Sequence, residues 1–236
     1  MTPGSAKRDL RSRSNRAQVG SAYVVGPTDH QPAPGVLVLH GWWGLTPFFK
    51  GVCDRLADAG FAAIAPDLHG DGRTADTPDE AEALLASTDP NRTADLVLST
   101  AAALRDMPLT TDAPIGVLGF SMGASWGMWL ATRAPDTVAA TTLFYGTQDI
   151  DFEASRSAVL GHFAEHDEFV SDDQRVEMEA HLRLLGKDVD FHLYPGTGHW
   201  FFEQDRLPAY DARAAELAWD RTVEFFRDRL RVTASE

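Results

Sequence analysis

Residues 115–134, IGVLGFSMGASWGMWLATRA, lead from an apolar run at 115–118 straight into Gly119-Phe120-Ser121-Met122-Gly123 and on into a helix-compatible stretch. G-x-S-x-G between a strand and a helix predicts a sharp turn that lifts a serine hydroxyl above the edge of a sheet. Side chains at the two flanking glycine positions would collide with neighbouring backbone. The turn also aims the Met122 N–H, at the start of a helix, toward the place where an oxyanion would form.

The same rhythm continues on both sides. Short β-branched or aliphatic runs stand at 23–25, 36–39, 62–65, 115–118, 141–144, 158–160 and 191–193. From residue 36 onward they are almost continuously apolar, as strands covered on both faces are. Helical patterns fill 48–59, 79–87, 93–107, 121–134, 172–185 and 208–230, with Gly60 and Gly186 as stop signals. In the last of these, Ala215, Trp219, Val223, Phe226 and Leu230 recur at steps of three and four, so one face must pack on the sheet. The pattern predicts an α/β fold with a mostly parallel central sheet and helices on both faces. About a dozen residues separate the runs ending at Tyr145 and beginning at Ala158, too few for a cap domain.

Among 236 residues, 21 basic side chains face 35 acidic ones, a net charge of −14. Nucleic acid is therefore not an expected partner, because counterion release needs clustered Lys and Arg. No stretch approaches the ~20 apolar residues of a membrane span. Cys53 is the only cysteine, which excludes an intrachain disulfide and fits a reducing cytoplasm. Residues 1–17 are expected to form a basic arm without an apolar face or h-region, and residues 18–232 a single domain, monomeric or weakly dimeric.

A serine hydroxyl becomes a useful nucleophile when a histidine takes its proton and an acid fixes that histidine's tautomer. In this fold the chain order is Ser, acid, His. His199, in Gly196-Thr197-Gly198-His199-Trp200 just beyond the last strand run, is the candidate base. Asp167 follows the run beginning at 158 and falls at the sheet's carboxyl edge, where such sites assemble. Asp149, Asp151, Asp172 and Asp173 compete, but the last two read as a helix start capped by Ser171. A second oxyanion donor is expected from His40-Gly41-Trp42-Trp43-Gly44, through the Trp42 N–H. Trp43 could line the pocket or simply pack in the core.

His162-Phe163-Ala164-Glu165-His166 spells H-x-x-E-H, a zinc-peptidase signature. That signature needs a helix, whereas these residues continue a strand run, on which positions four apart lie ~13 Å from each other. No metal or cofactor is expected. Cys53, beside Val52 and Leu56 in a helical pattern, reads as a buried inert thiol, and Trp126, Met128 and Trp129 read as core, with one of the three a candidate to line the pocket.

Over most of residues 18–230 the chain resembles the dienelactone hydrolase family of α/β-hydrolases. The resemblance is carried by Pro66-Asp67-Leu68, GFSMGA around Ser121, HDEFVS around Asp167, YPGTGHWF around His199 and the A-x-x-R-T-x-E-F-F run beginning at Ala218. It implies a lidless α/β-hydrolase that cleaves small esters or lactones through a covalent acyl-enzyme. Archetypal members use a cysteine nucleophile with a glutamate near the oxyanion strand, where this chain has Ser121 and Gly41. They also grip a substrate carboxylate with arginines, one of them four residues past the histidine, where this chain has Glu203. Glu203 is accordingly expected near the entrance, repelling carboxylate-bearing substrates, unless Arg73 or Arg206 supplies a clamp. Trp42, Trp43, Phe49, Trp200, Phe201 and Phe202 are expected to offer apolar surface to a small neutral ester or lactone. The same triad would serve a thioesterase or acyltransferase, and a non-catalytic ligand-binding protein could retain the fold.

Overall fold

A computed structural model describes residues 15–19, 22–207 and 209–230. Eight strands form one sheet: β1 (Asn15–Val19), β2 (Ala22–Gly26), β3 (Gly35–Leu39), β4 (Ala62–Pro66), β5 (Ile115–Phe120), β6 (Val138–Phe144), β7 (Ala158–His166) and β8 (Val189–Gly198). Their spatial order is β1-β2-β4-β3-β5-β6-β7-β8. β2 runs antiparallel to both β1 and β4, and every other pairing is parallel. The helices are α1 (Pro47–Asp58), α2 (Pro78–Ala86), α3 (Pro90–Arg105), α4 (Met122–Arg133), α5 (Asp172–Leu184) and α6 (Ala212–Arg229).

Two cores explain the apolar runs. On one face of the sheet, Phe49, Val52, Cys53 and Leu56 of α1 pack with Ala215, Trp219, Val223 and Phe226 of α6. On the other, α3 and α4 cover β3 and β5 through Val97, Ala101, Leu104, Leu130 and Ala131, and α5 closes β7 through Met178 and Leu182. A strand such as β5, buried at all six positions, therefore has no solvent face to mark by alternation. Residues 145–157, between β6 and β7, contain no helix, so no domain is inserted there. Among the described residues, no helix is long and apolar enough to cross a membrane.

Sequence-based boundaries move at both ends of the chain. Residues 15–17, assigned to the arm, belong to β1, whose antiparallel ladder runs from Asn15 opposite Gly26 to Val19 opposite Ala22. Residues 1–14 lie outside the described residues. The last helix begins at Ala212, not near 208, because the Asp211 side chain accepts the Ala214 N–H at 2.8 Å and caps it there.

Candidate active site

The turn that carries Ser121 is built from close backbone contacts. Ser121 sits at φ 50°, ψ −115°, between the end of β5 and the start of α4. A Cβ at Gly119 would stand 2.4 Å from the Gly123 carbonyl oxygen, and one at Gly123 would stand 2.1 Å from the Leu39 carbonyl oxygen. Only glycine fits either place, and the serine between them carries the left-handed strain. The Ser121 N–H donates to the Phe144 carbonyl at 2.9 Å, which ties the turn to the end of β6.

Three residues from three loops then meet in line. His199 Nε2 lies 2.9 Å from Ser121 Oγ, and His199 Nδ1 lies 2.8 Å from each carboxylate oxygen of Asp167. Asp167 Oδ1 also accepts the N–H groups of Phe169 and Val170, both at 2.9 Å, which fixes the carboxylate on its own loop. Since a carboxylate only accepts, Nδ1 carries the histidine proton and Nε2 is free to accept from the serine hydroxyl. The side chains of His199 and Asp167 are 3% and 4% exposed, so water competes weakly for these bonds.

The loop after β3 is anchored from behind. The Gly41 carbonyl accepts from His40 Nδ1 at 2.6 Å, the Trp42 carbonyl from His69 Nε2 at 3.1 Å, and the Trp43 carbonyl from the Ala75 N–H at 3.0 Å. His40 Nε2 in turn accepts the Leu68 N–H at 2.9 Å, and burial pushes the pKa of this ring down to about 4, so it stays neutral. The loop lies against the Ser121 turn, since a Cβ at Gly41 would be 3.8 Å from the Ser121 Cβ. Neither the Trp42 N–H nor the Met122 N–H has a hydrogen-bond partner among the described residues. Two donors are thus left open where two loops meet beside Ser121.

Several residues expected to line the pocket do not. Phe49, Phe201 and Phe202 are buried in the core beneath the sheet edge, where Phe120 and Phe144 surround them. Trp43 is buried against Ala75, Ala81 and Leu84. Glu203 is 1% exposed and accepts a hydrogen bond from the Tyr145 hydroxyl at 2.7 Å, so it presents no charge at an entrance. Burial pushes its carboxyl up to about 8, leaving it neutral at pH 7. A non-periodic loop beside His199 gives its aromatic residues no sequence cue for facing core or solvent.

The open apolar surface comes from Trp42 and Trp200, both half-buried, and from Phe169, which is 47% exposed and was missed in the sequence. Phe169 packs on His199, Trp200 and Trp42 with ring centroids at 4.8, 5.2 and 5.6 Å. Its position two residues past Asp167 was the available signal. Arg206 stacks 3.8 Å above the Trp43 ring centroid, and Arg73 pairs with Asp71 at the protein surface. Both candidate clamps are engaged elsewhere.

His162 and His166 are not a metal pair. His162 is buried, its Nδ1 2.8 Å from the Tyr194 hydroxyl and its Nε2 3.0 Å from the Thr222 hydroxyl, while His166 is exposed beside Glu165. Cys53 is buried, and burial pushes its thiol pKa up, which leaves it unreactive.

Comparison with known proteins agrees with this architecture. Residues 21–230 match the model of the dienelactone hydrolase family. The chain is 36% identical over 206 residues to Protein usf of Aquifex pyrophilus, covering 84% of this chain and 89% of that protein. It is 33% identical over 207 residues to a putative carboxymethylenebutenolidase of Aquifex aeolicus strain VF5, with the same coverage of 84% and 89%. A putative dienelactone hydrolase from Klebsiella pneumoniae superposes with a TM-score of 0.80 at 21% identity, over 90% of this chain and 97% of that one, a likeness of fold. On the match across nearly the whole described sequence, this chain belongs to the dienelactone hydrolase family.

Proposed function

We propose that the protein is a serine hydrolase that cleaves small neutral carboxylic esters or lactones through an acyl-enzyme. The observation that carries this reading is the unbroken line from Asp167 through His199 to Ser121 Oγ. As Oγ attacks the substrate carbonyl carbon, its proton passes to His199 Nε2 and the carbonyl π electrons move to oxygen. The Trp42 and Met122 N–H groups donate to that oxyanion, each such donor contributing on the order of 10²–10³ in turnover. Collapse of the tetrahedral adduct expels the alkoxide, which takes the proton from the imidazolium and leaves an acyl-serine. Water then attacks the acyl carbon, giving its proton to Nε2, and the second collapse returns that proton to Oγ.

The surroundings support this substrate class. Trp42, Phe169 and Trp200 offer apolar faces next to His199, and no arginine considered for a carboxylate clamp is available there. A neutral acyl or alkoxy group suits such a site better than a charged one. The similarity to a protein named as a putative carboxymethylenebutenolidase supports including lactones. The test is labelling with a fluorophosphonate probe together with a screen of short esters and lactones. Wild type should label and turn over, and Ser121→Ala should do neither. An unlabelled wild type, or hydrolysis that survives Ser121→Ala, overturns the proposal.

A further inference from the structure

Tyr145 and Glu203 are buried polar residues that the mechanism above does not use. Tyr145 follows β6 at φ 38°, a left-handed conformation costing a residue of this size about 1 kcal/mol or more. Its N–H donates to the His162 carbonyl at 2.8 Å, while the carbonyl of the preceding Phe144 accepts the Ser121 N–H at 2.9 Å. On its other side, a Cβ at Gly146 would stand 2.5 Å from the Ser121 carbonyl oxygen. Tyr145 is therefore built onto the backbone that carries the nucleophile.

Glu203 belongs to the histidine's side of the site. It lies on a loop of successive turns, closed by Phe201 N–H to Gly198 O at 3.1 Å, Glu203 N–H to Trp200 O at 3.0 Å and Arg206 N–H to Glu203 O at 2.9 Å. The Tyr145 hydroxyl donates to Glu203 Oε1 at 2.7 Å across this gap, and the Tyr145 ring packs on the His199 ring with centroids 4.9 Å apart. We infer that the Tyr145–Glu203 hydrogen bond braces the nucleophile turn against the histidine loop. Glu203 is then a positioning residue that, through Tyr145, holds the His199 imidazole in line with Ser121 Oγ. This rests on the proposed roles of Ser121 and His199.

The charge state fits the role. Burial is the main cause holding the Glu203 carboxyl protonated, opposed by the Tyr145 bond and Arg206 and reinforced by Asp205. Asp167 adds its charge near Tyr145 from the loop after β7. A neutral carboxyl still offers its carbonyl oxygen to the tyrosine hydroxyl, and it places no second negative charge beside the His199–Asp167 pair. A glutamine at 203 would offer the same oxygen.

The experiment compares Tyr145→Phe, Glu203→Leu, Glu203→Gln and the Tyr145→Phe/Glu203→Leu double variant on a short neutral ester at pH 7. Tyr145→Phe and Glu203→Leu should each lower kcat about tenfold with KM within twofold, and the double variant should be within threefold of the worse single one, since both remove the same bond. Glu203→Gln should keep at least half of kcat. The downfield Nδ1 proton resonance of His199 should shift or broaden in Tyr145→Phe and be retained in Glu203→Gln. A kcat within twofold of wild type in Tyr145→Phe overturns the inference, as does a Glu203→Gln loss as large as that of Glu203→Leu. Should Glu203→Leu not fold, Tyr145→Phe, which removes a single oxygen, decides. Ser121→Ala is the control: surviving activity there sinks the functional reading itself, whereas loss there with an unaffected Tyr145→Phe sinks only the brace.

Discussion

His199 Nε2 stands 2.9 Å from Ser121 Oγ although 78 positions separate the two residues in sequence. Neither side chain sets that distance by itself. Ser121 is pinned by a turn in which both flanking glycines touch backbone, and His199 rides on a loop whose orientation is fixed by Asp167 on one ring nitrogen and by ring contacts with Tyr145 and Phe169 at 4.9 and 4.8 Å. On the roles proposed above, alignment within hydrogen-bond reach before substrate arrives would convert a weak nucleophile into a positioned one.

Replacing the serine should separate chemistry from stability. Ser121→Ala is expected to lower kcat/KM by at least about 10⁴-fold, since members of a nucleophile–base pair act as a unit. Ser121→Gly should be equally inactive, yet it should melt higher than Ser121→Ala. At φ 50° and ψ −115° the alanine keeps a strain of order 1–3 kcal/mol that glycine escapes, against the ~1 kcal/mol glycine loses in chain entropy. Thermal unfolding of the two inactive variants checks this, and a lower melting temperature for Ser121→Gly would contradict it.

Asp167→Asn should lower kcat by about 10⁴-fold with little change in stability, because an amide can present its N–H to Nδ1 and force the wrong tautomer on His199. The amide oxygen can still accept the Phe169 and Val170 N–H bonds that shape the loop. Kinetics and circular dichroism on the purified variant provide the check. A mild effect here would return the role to a competitor such as Asp149.

The turn at 119–123 could be read from sequence because everything it needs is local: a buried strand, two glycines, a serine and a helix start. His199 and Asp167 could be placed because each follows a strand run and so falls at one edge of the sheet. The partnership of Tyr145 with Glu203 could not, since the two are 58 positions apart and only the packed loop brings a carboxyl to that hydroxyl. Reading Glu203 as an exposed repellent charge applied the usual expectation for glutamate, which fails where a buried partner and a neutral carboxyl stabilise it. β1 was hidden for a different reason: NRAQV alternates apolar residues only at Ala17 and Val19, too short a signal to mark a strand, and its pairing with β2 is a property of the sheet edge.

Phe169 should act on binding more than on folding. It is 47% exposed, so Phe169→Ala is expected to cost less than about 1 kcal/mol of stability. Its aromatic contacts with Trp42 and Trp200 form a surface on which a flat substituent can rest, and such contacts carry about 0.5–1.5 kcal/mol, a factor of roughly 2–12. KM for benzyl acetate should accordingly rise by up to about tenfold in Phe169→Ala, while KM for ethyl acetate changes less than threefold. Equal changes for the two esters would place the substituent elsewhere.

Stability should be greatest near neutrality and fall on both sides for different reasons. Burial lowers the pKa of His40 to about 4 from 6.5, and that of His162 well below 6.5, so the native state binds fewer protons than the unfolded chain in this range. Their contribution is present above pH 6.5 and is lost as pH falls toward the folded-state values. Glu203 has the opposite sign. Its folded pKa of about 8 lies above the ordinary 4.5, so its contribution is complete below pH 4.5 and is lost as pH rises to about 8. The two trends oppose each other between pH 4.5 and 6.5. From pH 6.5 to 8 the contribution of Glu203 is left, with a decline of at most about 1.4 kcal/mol per pH unit for one proton. Glu203→Gln has no proton to lose and should hold its stability flat across that interval. Urea midpoints for both proteins at half-unit steps from pH 6.5 to 8.5 measure the difference directly. Parallel curves would mean that the buried carboxyl is already ionised at pH 6.5, and the neutral brace between the two loops would then lose its electrostatic rationale.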